Sequence, residues 1–208
     1  MTRKPKAKRA PAARRGAHVK ESLKLRAPMA QPASAYFMEE RHDRSERHTL
    51  SVLVDNEPGV LARVIGLFSG RGYNIDSLTV SETEHAQHLS RITIVTTGTP
   101  MVLTQIKHQL ERLVPIHSVT DLTADGRPLE RELALVKVAG QGENRIEALQ
   151  LARAYEASVV DATTDHFVFQ VTGTSAKVEE FIAVMGPLGL VEVCRTGIAA
   201  VGRGLSAG

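Results

Sequence analysis

The sequence predicts an α+β protein built from two successive βαββαβ units. Short apolar runs of strand length alternate with segments whose apolar residues recur at helical spacing, and this order occurs twice along the 208 residues. A turn-rich segment separates the two units. Because 42% of the residues are hydrophobic and tryptophan is absent, we expect small aliphatic cores.

The first unit opens with the apolar run LSVLV at residues 50–54, which is typical of a strand. A helix is predicted from Pro58, and Gly70 and Gly72 end it because glycine reaches left-handed conformations at little steric cost. The apolar residues at helical spacing are Val60, Leu61, Val64, Ile65 and Phe68. The other elements are strands at 75–81 and 89–96 around the polar loop ETEHAQH, a helix from Pro100 and a strand at 116–122.

The segment TADGRPLER contains Asp-Gly and proline and is predicted to separate the units. A second βαββαβ order follows, so both units have the ferredoxin-like arrangement. Its elements are strands at 133–138, 159–162, 167–171 and 191–193, a helix at 145–157 with Ile146, Leu149 and Ala152 inward, and a helix marked by Val178, Phe181, Ile182 and Met185. The predicted domains are a basic tail at 1–46, a first domain at 47–124, a linker at 125–131 and a second domain at 132–204.

Positive charge is concentrated in the tail. Residues 1–46 hold 12 Lys or Arg against 5 Asp or Glu, whereas residues 47–208 hold 14 against 18. We expect the tail to be disordered, because its composition buries too little apolar surface to offset chain entropy. The mildly acidic remainder argues against a nucleic-acid partner, since affinity for nucleic acid depends on neutralising phosphates.

The composition also indicates the cellular compartment in which the protein is expected. No apolar run approaches the roughly 20 residues that a membrane-spanning helix needs, so no membrane partner is expected. The single cysteine fits a reducing compartment, and we expect a cytoplasmic protein. An organellar location stays open, because the first 20 residues lack acidic side chains, as transit peptides do.

Each unit spans only about 75 residues, and small domains bury a limited fraction of their surface. A four-stranded sheet also leaves edge strands that can pair with another subunit. We therefore expect a homodimer formed through the strands or helices of the first unit.

The stretch VDNEPGVLARV is a candidate binding site for an amino acid. The free amides around Gly59, Val60 and Leu61, together with the helix dipole, would suit a carboxylate. Asn56 adds an amide at the same turn. After the helix, Asn74 supplies a second amide and Ile75 an apolar surface. Ordinary capping and turn chemistry is the alternative interpretation of the same residues.

The longer segment DNEPGVLARVIGLFSGRGYNIDSLTVSETEHAQHLSRITIV resembles the start of an ACT domain. More narrowly, it resembles the regulatory (small) subunit of acetolactate synthase, also called acetohydroxyacid synthase. The later RELALVKV and VEVCRTGIAAVGRG resemble the C-terminal, ACT-like domain of that family. The resemblance covers about residues 47–204, and the basic tail departs from it, because bacterial members usually begin close to the first strand.

The resemblance implies a non-catalytic subunit that binds and activates the thiamine-diphosphate-dependent catalytic (large) subunit. That enzyme makes 2-acetolactate from two pyruvates in branched-chain amino-acid synthesis, and the small subunit makes it sensitive to valine or another branched-chain amino acid. In this family the effector lies between two ACT domains. Asn56, Gly59 and Leu61 would come from one protomer, and Asn74 and Ile75 from the other. Pro58 departs from many members, which have another residue before that glycine.

No catalytic set is visible in the sequence, and no cofactor or metal is expected on this chain. Thiamine diphosphate, magnesium and FAD would belong to the catalytic partner. His85 and His88 are better explained by a polar hairpin loop than by a metal site, and Cys194 by a small strand residue than by a nucleophile. GQGEN at 140–144 lacks the Lys-Ser/Thr of a phosphate loop and is predicted to be a turn into a helix.

Two alternative functions, each from another class of protein, remain open. A free-standing ACT sensor of amino acids could act on a transcriptional or nutrient-signalling partner, although no helix-turn-helix segment is visible. An enzyme in its own right is disfavoured by the missing catalytic set.

Overall fold

The computed structural model describes residues 44–84 and 88–204. Most of the predicted basic tail and His85 lie outside these residues. In the described parts of the chain, no helix combines the length and apolar character needed to cross a membrane. The first domain contains β1 (Glu46–Asp55), α1 (Val60–Arg71), β2 (Ser77–Glu84), β3 (Leu89–Gly98), α2 (Pro100–Leu110) and β4 (Ile116–Asp121). The second domain contains β5 (Leu129–Val138), α3 (Glu143–Ala154), β6 (Ser158–Ala162), β7 (Phe167–Gly173), α4 (Ser175–Met185), a short 3-10 helix (Gly186–Leu188) and β8 (Leu190–Val201).

Each domain is a four-stranded antiparallel sheet with two helices packed against one face. The strand order is β2-β3-β1-β4 in the first sheet and β6-β7-β5-β8 in the second. Alternate residues of the two central strands in each sheet point towards the helices, which gives each domain its own core. The prediction of two βαββαβ domains is thereby confirmed. We call the face of each sheet opposite its helices the outer face.

The first core is aliphatic apart from Phe68, which packs edge-on to Tyr73 with ring centroids 6.1 Å apart. The second core is more aromatic than expected from the composition. Phe169 lies at its centre, 5.5 Å from the ring of Phe167 and 6.1 Å from that of Phe181. Such offset and edge-on ring pairs add to the free energy gained by burial.

The predicted inward position of Ile146 is wrong. α3 buries Ala148 and Ala152, whereas the side chain of Ile146 is 59% exposed. At 100° per residue Ile146 lies nearly opposite the stripe formed by these alanines. Small alanines in the stripe let α3 approach the sheet closely.

The predicted last strand at 191–193 is too short, because β8 continues to Val201. Polar residues at 195–196 and Gly197 interrupt the apolar pattern, and the pairing with β5 shifts register there. β5 also begins earlier than predicted, at Leu129, and so includes the end of the segment assigned to a linker. Both extensions lie where the strands reach the first domain.

The two domains meet where the ends of β5 and β8 approach the outer face of the first sheet. Ile198 and Ala200 form a small apolar cluster with Val95 and Leu122. The amide of Ile198 donates a hydrogen bond of 2.9 Å to Ser77 Oγ. At the other side of the contact, Glu130 accepts hydrogen bonds from the side chains of Thr49 and Arg47. Apolar and polar contacts together join the sheets.

Candidate effector site

The turn between β1 and α1 is held from both sides by main-chain hydrogen bonds. The amide of Asp55 donates to the carbonyl of Pro115 at 3.2 Å, and that of Asn56 donates to the carbonyl of His88 at 2.6 Å. The Asp55 Oδ1 atom lies 2.6 Å from Nε2 of His117 on β4. The start of α1 is thus fixed to two loops of the domain.

Gly59 is the residue that turns the chain into α1. Its φ of 89° lies in the left-handed region, and it caps the helix without any side-chain hydrogen bond. A Cβ atom built on Gly59 would meet nothing within 4 Å, so the helix start faces open space. The first helical bond runs from the amide of Arg63 to the carbonyl of Gly59. α1 therefore begins two residues later than the predicted start at Pro58.

The two residues after Gly59 contribute in different ways. The side chain of Val60 is 4% exposed and belongs to the core, so only its amide faces the helix start, where it donates to Glu57 at 3.4 Å. The side chain of Leu61 is 37% exposed and can contact a ligand. The amides of the first turn and the positive end of the helix dipole provide the chemistry of a carboxylate site.

Asn74 and Ile75 follow the other end of α1. Gly72 ends the helix in the left-handed conformation, with φ of 69°. The side-chain amide of Asn74 donates from Nδ2 to Asp76 Oδ1 at 2.5 Å. Its main-chain carbonyl accepts a bond from Thr96 Oγ1 at 2.6 Å. Ile75 packs partly against the first core.

The two halves of the candidate site are separated by the length of α1. Twelve residues at 1.5 Å each span roughly 18 Å, which is much longer than an amino acid. Asn56 and Gly59 lie before this helix, and Asn74 and Ile75 lie after it. One protomer therefore does not bring the six candidate residues together around one ligand.

Three exposed apolar side chains lie on the side of the domain that carries α1 and β2. Leu61 and Ile65, one helical turn apart, are 37% and 36% exposed, and Val80 on the edge strand β2 is 45% exposed. Residues at i and i+4 share one helix face. We call Leu61, Ile65 and Val80 the α1–β2 strip.

Sequence reasoning missed the residues that hold Asn74. Asp76 orients the Asn74 amide, and Thr97 Oγ1 donates to the other Asp76 oxygen at 2.6 Å. Thr97 comes from the neighbouring strand β3, and no short sequence motif signals such a cross-strand contact. Asp76 also lines a cavity of about 460 Å³ that reaches Glu132 and Arg195 of the second domain.

Cys194 and the GQGEN turn lie in the second domain, whereas the main-chain carbonyl of His88 contacts the site through Asn56. Cys194 is exposed on β8, and Gly142 caps the start of α3, as predicted for the GQGEN turn. Among the described residues, no group of three or more His, Cys, Asp or Glu side chains could hold a metal ion. His88 has φ of 52° in the turn before β3.

Comparisons with known proteins identify the family of each domain. Residues 50–118 match the model of the AHAS small subunit-like ACT domain, so the first unit is an ACT domain. Residues 131–204 match the model described as the small subunit of acetolactate synthase. The chain belongs to the acetolactate synthase small-subunit family.

Individual relatives are similar to this chain over both domains. The probable acetolactate synthase small subunit of Archaeoglobus fulgidus is 45% identical over 158 residues, which cover 76% of this chain and 98% of the relative. The small subunit of acetolactate synthase isozyme 3 from Escherichia coli K12 is 43% identical over 159 residues, covering 76% and 96%. The crystal structure of the Thermotoga maritima small subunit matches with a TM-score of 0.70 and 36% identity, covering 77% and 99%.

Proposed function

We propose that this chain is the regulatory, non-catalytic subunit of an acetolactate synthase. It activates the thiamine-diphosphate-dependent catalytic subunit and makes it sensitive to a branched-chain amino acid. The observation that carries the effector role is the open helix start at Gly59, which offers amides for a carboxylate. The family, whose members are named small subunits of this enzyme, supports the catalytic partner.

Effector binding requires two copies of the ACT domain. The carboxylate of the amino acid would meet the amides after Gly59 and the side chain of Asn56 of one protomer. Its ammonium group would meet Asn74 Oδ1 of the other protomer, and its aliphatic side chain would pack on Leu61 and Ile75. The separation of these groups by α1 within one chain supports this arrangement. The α1–β2 strip offers the apolar surface for the homodimer.

The signal would reach the catalytic partner through the contact between the domains. Asp76 holds Asn74 and also lines the cavity beside Glu132 and Arg195, so the effector site adjoins the second domain. An allosteric coupling of this kind is typically ~1–3 kcal/mol. Thiamine diphosphate, magnesium and FAD would be held by the catalytic subunit. The single cysteine fits the reducing cytoplasm, where we place the holoenzyme.

Reconstitution with the cognate catalytic subunit tests this proposal. Acetolactate formation is measured with the catalytic subunit alone, with this chain added, and with this chain plus valine, leucine or isoleucine. We expect faster formation with the chain, and inhibition by at least one of the three amino acids only when the chain is present. Unchanged rates in all mixtures would overturn the proposal, and calorimetric binding of an amino acid in that case would favour the free-standing sensor.

A further inference from the structure

A second cleft lies between the domains, on the outer face of the first sheet. Its volume is about 400 Å³, which is within the range of small-ligand sites. One wall is formed by β2 and β3, and the other by the start of β5 and the end of β8. We call this space the interdomain cleft. It lies on the sheet face opposite α1 and is distinct from the effector site.

The first wall of the interdomain cleft carries one guanidinium and a row of hydroxyls. Thr79 pairs with Thr93 across the strands, and Ser81 pairs with Arg91, so these four side chains are neighbours on one face. Thr83 extends the row along β2. All of these hydroxyls can donate to an anion.

The second wall adds another guanidinium. Arg131 lies on β5, opposite Ala199 of β8, and Nη1 of Arg131 donates to the main-chain carbonyl of Glu130 at 2.7 Å rather than to a carboxylate. Among the described residues that line the cleft, none carries a carboxylate. Two positive charges therefore face one space whose described lining offers no negative charge.

Two residues that line this cleft each have a buried polar atom without a hydrogen-bond partner in the described part of the chain. These atoms are Nε of Arg91 and Oγ1 of Thr79. Both lie in the first wall, and Gly197 of β8 closes over Thr79, since a Cβ atom on Gly197 would lie 2.9 Å from Oγ1. Buried polar groups in proteins are nearly always hydrogen-bonded, so an unpartnered donor indicates a missing acceptor.

We propose that the interdomain cleft binds a small oxyanion, the carboxylate or phosphate group of a metabolite. Arg91 and Arg131 would bind it from opposite walls, since the planar guanidinium group matches the geometry of an oxyanion. The hydroxyl of Ser81 would add a neutral hydrogen bond. Because the walls belong to different domains, the bound anion would hold the two domains together.

Thermal unfolding and calorimetry of the full chain test this site with inorganic phosphate and with acetate as probes. The reference is sodium chloride at matched ionic strength. We expect at least one probe to raise the melting temperature in a saturable way that chloride does not reproduce. The probe that binds more tightly identifies phosphate or carboxylate as the preferred group.

Variants assign the binding to the cleft. Arg91→Gln and Arg131→Gln should each weaken binding of the effective probe at least tenfold, and Arg91→Lys should restore part of it. Arg112→Gln is the control, because Arg112 is an exposed arginine that follows α2 outside the cleft. Binding of neither probe beyond the chloride effect would overturn the proposal. Equal affinity in Arg131→Gln and the parent chain would also overturn it, and Arg131 is exposed enough for that variant to fold.

Discussion

Gly59 is the residue on which the effector proposal depends most directly. Replacing Gly59 with Asp places a carboxylate at the helix start, where it would occupy the anion site itself. We expect Gly59→Asp to abolish inhibition by the amino acid while activation of the catalytic subunit is retained. The measurement is the rate of acetolactate formation against effector concentration.

The control for this variant is Gly59→Ala. Any side chain at φ of 89° is strained, by about 1–2 kcal/mol, so both variants share the backbone cost. Only the aspartate adds charge, and alanine should leave inhibition largely intact. If the two variants are inhibited to the same extent, the helix start does not bind the effector carboxylate.

Glu132 and Arg195 form an ion pair where β5 and β8 meet α4. Glu132 is 4% exposed and receives bonds of 2.7 and 2.8 Å from Nε and Nη2 of Arg195. Ser175 Oγ donates a further bond at 3.1 Å. Hydrogen bonding from Arg195 holds the pKa of Glu132 below its ordinary value of 4.5. The pair therefore stabilises the fold at pH above about 4.5, and this stabilisation is lost as pH falls through the lowered pKa.

Removing Arg195 should leave a nearly buried carboxylate without its partner. We expect Arg195→Met to lower the free energy of unfolding by roughly 2–3 kcal/mol at neutral pH, below the full value for a buried pair because the Arg195 side chain is 36% exposed. The loss should shrink as pH falls through the lowered pKa of Glu132, since a protonated carboxyl no longer needs its charged partner. Urea unfolding at pH 7.5 and pH 4 measures both values. Lys137→Met, which breaks the exposed pair with Glu192, should cost under about 1 kcal/mol at either pH.

At the scale of the elements, local sequence patterns placed more helices and strands correctly than incorrectly. Apolar spacing identified α1 and α2, and Gly72 ends α1 as expected from its left-handed φ of 69°. The pattern failed where burial depends on a distant partner. Ile146 was predicted to be buried because the apolar residues of α3 were expected to face the core. The buried stripe of α3 is instead formed by the small residues Ala148 and Ala152. The second half of β8 was missed because it packs on the first sheet rather than on its own helices.

The α1–β2 strip provides a test of the proposed homodimer. A charge placed at Ile65 would have to be buried between two protomers, which is costly without a partner. We expect Ile65→Glu to convert the dimer to monomers in analytical ultracentrifugation and to weaken inhibition by the amino acid. Ile146→Glu is the matched control, because Ile146 is an isoleucine of α3 that is 59% exposed. A dimer in both variants would place the interface elsewhere.

At the scale of the whole molecule, the association of the two domains could not be predicted from the sequence. Thr49 and Glu130 are 81 residues apart, and Ser77 and Ile198 are 121 apart, so neither contact leaves a local pattern. The same reason explains why some contacts of the candidate site were not predicted. Asn74 was identified from its place after a helix, whereas Thr97, which holds the Asp76 carboxylate beside it, became visible only when β3 was placed next to this segment. Features set by residues close together in the sequence could be predicted, and the contacts between strands and between domains could not.

Gly197 is a position where the backbone of the second domain lies close to the first domain. Its φ is 80°, and an added Cβ atom would lie 2.9 Å from Thr79 Oγ1 and 3.0 Å from Ser77 Oγ. Real Cβ contacts are rarely this short, so either β8 would have to move away from β2 or the two hydroxyls would have to turn aside. We expect Gly197→Ala to lower the free energy of unfolding by about 2–4 kcal/mol, of which about 1–2 kcal/mol is the cost of the left-handed backbone.

Gly70→Ala is the matched change within a helix, where the added Cβ atom meets nothing within 4 Å. It should raise the free energy of unfolding by about 0.5–1 kcal/mol, because alanine favours the helix over glycine. Urea denaturation of both variants and the parent chain gives the comparison. A Gly197→Ala variant as stable as the parent would mean that β8 does not rest on β2 in solution. The route proposed from the effector site to the second domain would then lose its physical basis, because the contact between β2 and β8 would not exist to carry it.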